Sequence, residues 1–279
     1  MKKSDIISLG LSYWIVQSDI SKLLEKILEI SSKDLFFLSE INEKYFWKIE
    51  EVFLEIHSGK PLEHILEYAD FYGYTFYVTP STLIPKNDTE VLVEKTIEYL
   101  QRHKESVSLV DIWTGTGCIP ISIYKEISKK IDSVFAIDIS KDALVVAEKN
   151  AKIHWVEERV ELLQWDLFSP LLKQKIPHLV ITANLPYIKD ADFKNIDTKV
   201  MAHEPHLALF GGEKTWFELY EKLIIQLQNY ASAKTLVLFI EIGFDQWEIA
   251  KKYLDTLWVL YEIFHDNGWI DRCIKIQLK

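Results

Sequence analysis

Apolar residues recur at helical spacing near the start of the chain. One stripe comprises Ile20, Leu23, Leu24, Ile27 and Leu28, and a second comprises Ile49, Val52, Phe53 and Ile56. Residues three and four apart lie on one face of an α-helix, so each stripe predicts a helix with a single buried face. We therefore predict a small helical domain over residues 1–70.

After these stripes, the pattern changes to alternating aromatic and β-branched residues. The alternating positions are Phe71, Tyr72, Tyr74, Phe76 and Val78, and they are followed by Pro80 and Pro85. Alternation with a period of two is typical of strands bounded by turns. The pattern predicts a hairpin-like connector over residues 71–87.

Short apolar runs alternate with helical stretches over residues 88–279. The runs cover residues 109–112, 134–137, 160–163, 179–183 and 236–240. This alternation is typical of a parallel sheet with helices on both faces. The last two runs, residues 259–264 and 273–278, leave no room for a helix between them, so we predict an antiparallel hairpin at the sheet edge. The predicted fold class is α/β, a doubly wound sheet with an added helical domain.

The formal net charge of the chain is -10. Proteins that coat a phosphate backbone usually present a basic face, so this charge favours a protein partner over a nucleic acid. Cys118 and Cys273 stand far apart without ligand spacing, so neither a disulfide framework nor a metal site is predicted. Neither a membrane-spanning apolar run nor a signal peptide is recognisable, so we expect a cytoplasmic protein.

A turn of mostly small residues follows the first apolar run. After Asp111 and Ile112 the chain reads Trp113-Thr114-Gly115-Thr116-Gly117 and enters a helical stretch. Such a turn between a strand and a helix brings backbone N–H groups close to a ligand. We predict a cofactor site at these residues.

Acidic residues mark the ends of three successive predicted strands, at Asp111, Asp138 and Asp166. At the carboxyl edge of a parallel sheet, Asp138 is placed to accept both ribose hydroxyls of an adenosine. Asp166 is placed to meet the adenine amino group, and Leu167 to pack on the ring. The spacing from Gly117 to Asp138 equally suits a nicotinamide dinucleotide, so the turn alone leaves the cofactor open.

The fourth run ends in the tetrapeptide Asn184-Leu185-Pro186-Tyr187. The Asn184 side-chain oxygen and the Leu185 carbonyl can accept both hydrogens of a planar NH₂ group. Pro186 stiffens the turn, and Tyr187 supplies a flat face for the acceptor. A nitrogen held in this way, away from water, is placed for in-line attack on a sulfonium methyl group. The tetrapeptide therefore favours S-adenosylmethionine (SAM) as cofactor and predicts methyl transfer to an amide or amine nitrogen.

These motifs together resemble the protein-glutamine methyltransferases that modify the Gly-Gly-Gln loop of peptide chain release factors. The resemblance also rests on the segments Gly59–Ile65, Phe71–Gly73, Leu83–Glu90, Glu204–Leu209 and Glu241–Gly243. It implies a class I SAM-dependent methyltransferase with a Rossmann-like sheet, and a helical domain that docks the release factor. It further implies that Glu90 and Tyr187 border the pocket for the glutamine.

The chain departs from the family pattern most clearly at its tryptophans. The family has glycine where Trp113 stands and commonly where Trp155, Trp165, Trp216 and Trp247 stand, and Trp258 and Trp269 occupy positions that suit glycine. The chain has nine Trp and nine Gly, and glycine at every tryptophan would restore the average usage of about 7%. We hypothesise that UGA codons of the gene encode glycine in the cell, and that the amino-acid sequence shows tryptophan because UGA was translated by a different code. The alternative is an enzyme that tolerates Trp113.

Other functions stay open on the sequence. The same motifs would serve a ribosomal-protein glutamine methyltransferase. An adenine-N6 nucleic-acid methyltransferase shares the tetrapeptide, but the acidic charge and the segment Asp88-Thr89-Glu90 oppose it. A non-catalytic SAM-fold binding protein would follow if Trp113 filled the cofactor site.

Overall fold

The computed structural model of the chain describes residues 1–186, 188–189, 205, 210–212 and 217–279. Their contacts separate into two compact units, the first over Met1–Ala69 and the second from Asp70 onward. Tyr187 and Trp216 lie outside the described residues, as does most of the segment Glu204–Leu209. Among the described residues, no helix is both long and apolar enough to cross a membrane.

Helices build the first unit. They are α1 (Lys3–Ser12), α2 (Gln17–Leu28), α3 (Ser32–Phe37), α4 (Phe46–His57) and α5 (Leu62–Leu66). The predicted apolar stripes form its core, since Leu23 of α2 and Phe53 of α4 are fully buried. Gly10 on α1 permits a close approach, because a Cβ there would lie 2.6 Å from Ile20 Cδ1. These helices lie within residues 1–70, for which the sequence predicts a helical domain.

A seven-stranded sheet forms the centre of the described part of the second unit. Its strands are β3 (Val107–Ile112), β4 (Ile131–Asp138), β5 (Val160–Gln164), β6 (His178–Ala183), β9 (Thr235–Glu241), β10 (Leu260–His265) and β11 (Asp271–Gln277). Their order across the sheet is β10-β11-β9-β6-β3-β4-β5. The strands from β9 to β5 run parallel, whereas β11 pairs antiparallel with β9 and β10. The predicted doubly wound sheet with an antiparallel edge hairpin is confirmed.

Alternate residues of the central strands face two separate apolar clusters. Val110 and Ile181 lie in a cluster closed by α9 (Glu218–Gln228) and α10 (Trp247–Leu257). Leu109 and Val180 lie in the other cluster, which is closed by α6 (Glu90–Arg102), α7 (Cys118–Ile127) and Ala151 of α8 (Lys141–Ile153). Strands that are buried on both faces are apolar at nearly every position, which explains why the runs are so clear in the sequence.

Two smaller strand pairs lie outside the seven-stranded sheet. The strands β1 (Tyr68–Phe71) and β2 (Tyr74–Tyr77) form a hairpin, and β7 (Ile188–Lys189) pairs in parallel with β8 (Phe210–Gly212). Tyr72 and Gly73 have φ values of 50° and 75°. Two successive residues with positive φ are what a two-residue type I′ turn requires.

Candidate active site

A cavity opens at the carboxyl ends of β3, β4 and β6. It is lined by the turn after β3, by Asp138 and Ser140 after β4, by Asn184 after β6, and by residues of the segment that precedes α6. The strand order reverses between β3 and β6, and open α/β sheets bind their ligands at such a switch point. The predicted cofactor turn and the start of the tetrapeptide therefore share one cavity.

Backbone hydrogen bonds hold the turn after β3. The N–H groups of Trp113 and Thr114 both donate to the carbonyl of Ile137, at 2.8 and 3.0 Å. Gly117 has a φ of 77°, and a Cβ there would lie 3.3 Å from the Cβ of Ala147 on α8. The turn thus requires glycine at this position both for its conformation and for the packing of α7 against α8.

Asp138 joins this turn to the end of β4. Its carboxylate accepts the backbone N–H groups of Gly115 and Ser140, each at 2.9 Å. Burial raises the pKa of Asp138, although these hydrogen bonds act in the opposite direction. Each carboxylate oxygen has a second lone pair, so the carboxylate can still accept the two ribose hydroxyls predicted for it.

Asp111 is fully buried at the end of β3 and does not line the cavity. It accepts the hydroxyl of Thr182 on β6 at 2.6 Å. Burial raises the pKa of Asp111 to about 7. This carboxyl group therefore links β3 to β6 just before the turn and the tetrapeptide that form the site.

Thr114 and Thr116 differ in how their side chains are used. Thr116 accepts the N–H of Cys118 at 3.4 Å. The hydroxyl of Thr114 is buried in the wall of the cavity and interacts with the carboxyl group of Asp111, whose pKa it lowers against the larger effect of burial.

The two predicted adenine contacts lie elsewhere. Asp166 forms an ion pair with Lys222 of α9 and does not line the cavity. Leu167 has a φ of 53°, and its side chain is fully buried in the apolar cluster beneath α9. Because the chain turns at Leu167 and sends the side chain into the core, this residue does not reach the cavity as the sequence predicts.

Asn184 lies at the carboxyl end of β6. Its Nδ2 donates to the hydroxyl of Thr89 at 3.4 Å. This contact directs the NH₂ end of the amide toward Thr89 and leaves Oδ1 as an acceptor. Thr89, the middle residue of Asp88-Thr89-Glu90, is 4% exposed, so the segment acts on Asn184 through a buried hydroxyl.

The two acidic residues of that segment hold the surrounding structure. The carboxylate of Glu90 accepts the backbone N–H of Tyr72 at 2.7 Å and does not line the cavity. Asp88 accepts a hydrogen bond from Arg272 of β11 at 3.3 Å, and the same guanidinium donates to Asp266 and to the carbonyl of Ile242, each at 3.2 Å. These contacts tie the start of α6 to the β1–β2 hairpin and to β11.

Tyr220 of α9 fixes the backbone of the tetrapeptide. Its hydroxyl is fully buried, accepts the N–H of Leu185 at 2.9 Å and donates to the carbonyl of Glu241 at the end of β9. The Leu185 side chain is buried in the core. The local sequence contains no signal for this contact, because Tyr220 reads only as an apolar position of a helix.

Asn150 of α8 is a second residue that sequence reasoning missed. Its Nδ2 donates to the carbonyls of Tyr77 and Thr116, each at 2.9 Å, and its Oδ1 accepts the N–H of Tyr77 at 2.7 Å. The side chain is fully buried. It ties the cofactor turn to β2, and the only sequence signal is an amide at a buried helical position.

The tetrapeptide is described as far as Pro186, which is buried. The predicted role of Tyr187 falls outside the described residues and stays a prediction.

Comparisons with known proteins agree with this geometry. A family model described as RNA cap guanine-N2 methyltransferase matches residues 106–203. The structure of the N-terminal domain of human METTL16 in complex with SAH is similar with a TM-score of 0.51 and 17% identity, covering 75% of this chain and 77% of that one. At this identity the likeness concerns the fold alone. The fold and the turn define a class I SAM-dependent methyltransferase.

The curated relatives narrow the class to a family. The release factor glutamine methyltransferase of Bacillus cereus is 34% identical over 246 residues, which cover 87% of this chain and 84% of that protein. The release factor glutamine methyltransferase of Chlamydia trachomatis serovar L2 is 31% identical over 265 residues, which cover 94% and 87%. The chain belongs to the release factor glutamine methyltransferase family, as its motifs indicate.

The residues of the cavity fit an adenosyl cofactor in all but one respect. Gly115, Asp138 and the hydroxyl of Thr114 supply a close backbone approach, a carboxylate and a buried polar group. Trp113 lines the same cavity, and its side chain packs against the apolar cluster that contains Ile112. A bulky residue there occupies space next to the turn that approaches the cofactor.

Proposed function

We propose that the chain transfers a methyl group from SAM to the side-chain amide nitrogen, N5, of the glutamine in the Gly-Gly-Gln motif of peptide chain release factors. The observation that carries this proposal is the position of Asn184, which lines the same cavity as the cofactor turn and has its NH₂ end directed to Thr89. The family relationship supports the acceptor.

Asn184 and Leu185 hold the acceptor amide. Asn184 Oδ1 and the carbonyl of Leu185 each accept one hydrogen of the glutamine NH₂ group, which fixes the nitrogen in one orientation. Tyr220 accepts the Leu185 N–H and the Leu185 side chain is buried in the core, so the backbone that carries this carbonyl is anchored on its N-terminal side. Tyr187 offers its ring to the planar amide, as the tetrapeptide predicts.

The electrostatics of the site suit a neutral acceptor that becomes positively charged during transfer. When bound, SAM supplies an electrophilic methyl group to the amide nitrogen. The two carbonyl oxygens stabilise the positive charge that develops on the N–H groups. The nitrogen becomes acidic once alkylated, so it loses its proton without a strong base beside it.

The unit over Met1–Ala69 docks the release factor in this proposal. Phe36 and Phe37 on α3 are 76% and 74% exposed, and their rings contact each other edge to face. Exposed aromatic pairs are typical of protein-binding surfaces. The net charge of -10 favours a protein acceptor over a nucleic acid.

An acceptor panel tests the proposal. The full chain, with tryptophan or glycine at position 113, is incubated with SAM and either a purified release factor, ribosomal proteins or RNA, and the methylated position is mapped by mass spectrometry. We expect a single methyl group on the glutamine of the Gly-Gly-Gln peptide. Methylation of only a ribosomal protein or RNA, or of no acceptor by either form, would contradict the proposal.

Asn184→Ala and Asn229→Ala provide a matched pair in the same assay. Asn229 donates to the carbonyl of Ile225 on the surface of α9, away from the cavity. We expect Asn184→Ala to abolish the methylated peptide and Asn229→Ala to leave it unchanged.

A further inference from the structure

Five of the eight tryptophans in the described part of the chain have a backbone conformation that L-amino acids rarely adopt. Their φ values are 65° at Trp14, 67° at Trp113, 56° at Trp155, 54° at Trp258 and 62° at Trp269. Among the described non-glycine residues with positive φ, the other four are Glu29, Glu67, Tyr72 and Leu167. Bulky residues in the left-handed region are genuine outliers, whereas glycine adopts it freely.

Trp14 and Trp155 each follow the end of a helix in the same hydrogen-bonded turn. At the end of α1, the N–H of Trp14 donates to Leu11 and the N–H of Ile15 donates to Gly10. At the end of α8, the N–H groups of Trp155 and Val156 donate to Lys152 and Ala151. This pair of bonds defines the Schellman motif, whose left-handed residue is usually glycine.

Trp258 and Trp269 occupy two further glycine positions. Trp258 is the left-handed residue that ends α10. Trp269 lies in the connection between β10 and β11, where the N–H of Asp266 donates to the carbonyl of Ile270 at 2.9 Å and closes a three-residue loop of which Trp269 is the last residue. Hairpin loops of this length place glycine at the left-handed position.

The side chains at these four turns gain little from being tryptophan. Trp14, Trp155, Trp258 and Trp269 are 85–94% exposed. Tryptophan is on average highly buried, because its large apolar surface is costly to expose to water. Neither packing nor backbone conformation therefore accounts for tryptophan at these positions.

Trp113 is the fifth position, and it stands in the cofactor turn. Gly115 and Gly117 of the same turn have φ values of 54° and 77°. The conformation at position 113 is thus the one that glycine adopts twice more in the next four residues. Trp113 lines the cavity and is partly buried against the neighbouring apolar cluster, so its replacement by glycine removes a bulky group beside the cavity.

We propose that the natural protein carries glycine at positions 14, 113, 155, 258 and 269, because its gene is read by a code in which UGA specifies glycine. Five unrelated turns, at three helix ends, one hairpin and one strand-to-helix turn, share one unsuitable residue type. A single change of codon meaning accounts for all five. The resulting cofactor turn has glycine at positions 113, 115 and 117, and carries no bulky side chain beside the cavity.

Peptide sequencing tests the proposal directly. The protein is isolated from the cells that carry the gene, and the five peptides are sequenced by mass spectrometry. The five corresponding codons are read from the DNA of the same cells. We expect glycine in each peptide and UGA in each codon. A tryptophan in the peptide, or a UGG codon, would overturn the proposal at that position.

Two sets of variants test the physical argument separately from methyl transfer. The triple variant W155G/W258G/W269G changes only exposed turns, and we expect it to raise the melting temperature of the second unit by at least about 3 °C. Trp47→Gly on α4, where φ is not positive, is the control and should lower the melting temperature of the first unit. A triple variant that melts lower than the parent chain would overturn the proposal.

Trp113→Gly reports on the cofactor turn, and this step rests on the proposed use of SAM. Calorimetry with SAM should show at least about 10-fold tighter binding by Trp113→Gly than by the parent chain. If Trp113→Gly binds SAM equally or more weakly while the triple variant is stabilised, position 113 has no steric role. The proposal would then hold for the exposed turns alone. Failure of both forms to bind SAM would instead contradict the proposed function.

Discussion

The two halves of the cavity are held in different ways. At the end of β6, side chains from distant elements fix the tetrapeptide: Thr89 contacts Asn184, and Tyr220 contacts Leu185. At the end of β3, backbone bonds from Trp113 and Thr114 to Ile137 fix the turn, together with the side chains of Asp138 and Asn150. The acceptor half thus depends on particular side chains, whereas the cofactor half depends in addition on conformations that favour glycine.

This difference determines how each half responds to substitution. A half built on side-chain hydrogen bonds loses orientation when one hydroxyl is removed, although the fold persists. A half built on backbone conformation is sensitive to residue type at each left-handed position, which is why Trp113 is conspicuous there. The predictions below test the two halves in order of expected effect.

Asp111 spans both halves, and its protonation should couple stability to pH. Its pKa is raised to about 7 in the folded chain, so the folded state binds a proton that the unfolded state releases near pH 4. At low pH this proton contributes on the order of 4 kcal/mol to the free energy of unfolding. The contribution is lost as the pH rises from about 4 to about 7. Urea unfolding across this range measures it.

Asp111→Asn is the control for that titration. The variant cannot ionise, so its unfolding free energy should fall less than that of the parent chain over the same pH interval. Parallel pH curves for the two proteins would contradict the assignment of the effect to Asp111.

Asp138→Ala should weaken the cofactor half selectively. The substitution removes the acceptor for the Gly115 and Ser140 N–H groups and for the ribose hydroxyls, so we expect about 100-fold weaker SAM binding. Asp166→Ala is the comparison, because Asp166 contacts Lys222 outside the cavity. If calorimetry shows an equal loss in both variants, the distinction between these carboxylates is wrong.

Tyr220→Phe should weaken the acceptor half by a smaller amount. Without the hydroxyl, the Leu185 N–H loses its buried partner, and we expect kcat to fall about 5- to 10-fold with little change in SAM affinity. Tyr230→Phe is a close control. Its hydroxyl is also buried and bonded to backbone, at Ile176 and Gln174 before the start of β6.

The contrast between the two tyrosines lies in kinetics rather than in stability. Both variants should lose similar stability, whereas only Tyr220→Phe should slow methyl transfer. A matching fall in kcat for Tyr230→Phe would show that the effect of Tyr220 is general destabilisation.

The fold could be predicted from the sequence because its strands are buried on both faces. Runs such as residues 179–183 are apolar throughout, and the short distance between the last two runs requires a hairpin. The turn after β3 could be singled out because small residues between a strand and a helix bring backbone N–H groups close to a ligand, and because acidic residues follow the neighbouring strands.

The remainder of the site depends on contacts between residues far apart in sequence. Tyr220, Asn150 and Arg272 reach the site from helices and a strand whose local patterns indicate only burial. The burial of Leu167 was not predictable, because its own left-handed backbone conformation directs the side chain into the core. Trp113 could be identified as unusual from the sequence, but its backbone conformation required the structure.

The central claim is that Asn184 orients the acceptor amide while the turn after β3 binds the cofactor. The most direct test compares the parent chain with Asn184→Ala, both with glycine at position 113. Single-turnover methylation of the release factor glutamine and calorimetry with SAM are measured for each protein. The account predicts a rate about 100- to 1000-fold lower in Asn184→Ala with SAM affinity unchanged. An unchanged rate, or a loss explained fully by weaker SAM binding, would contradict it.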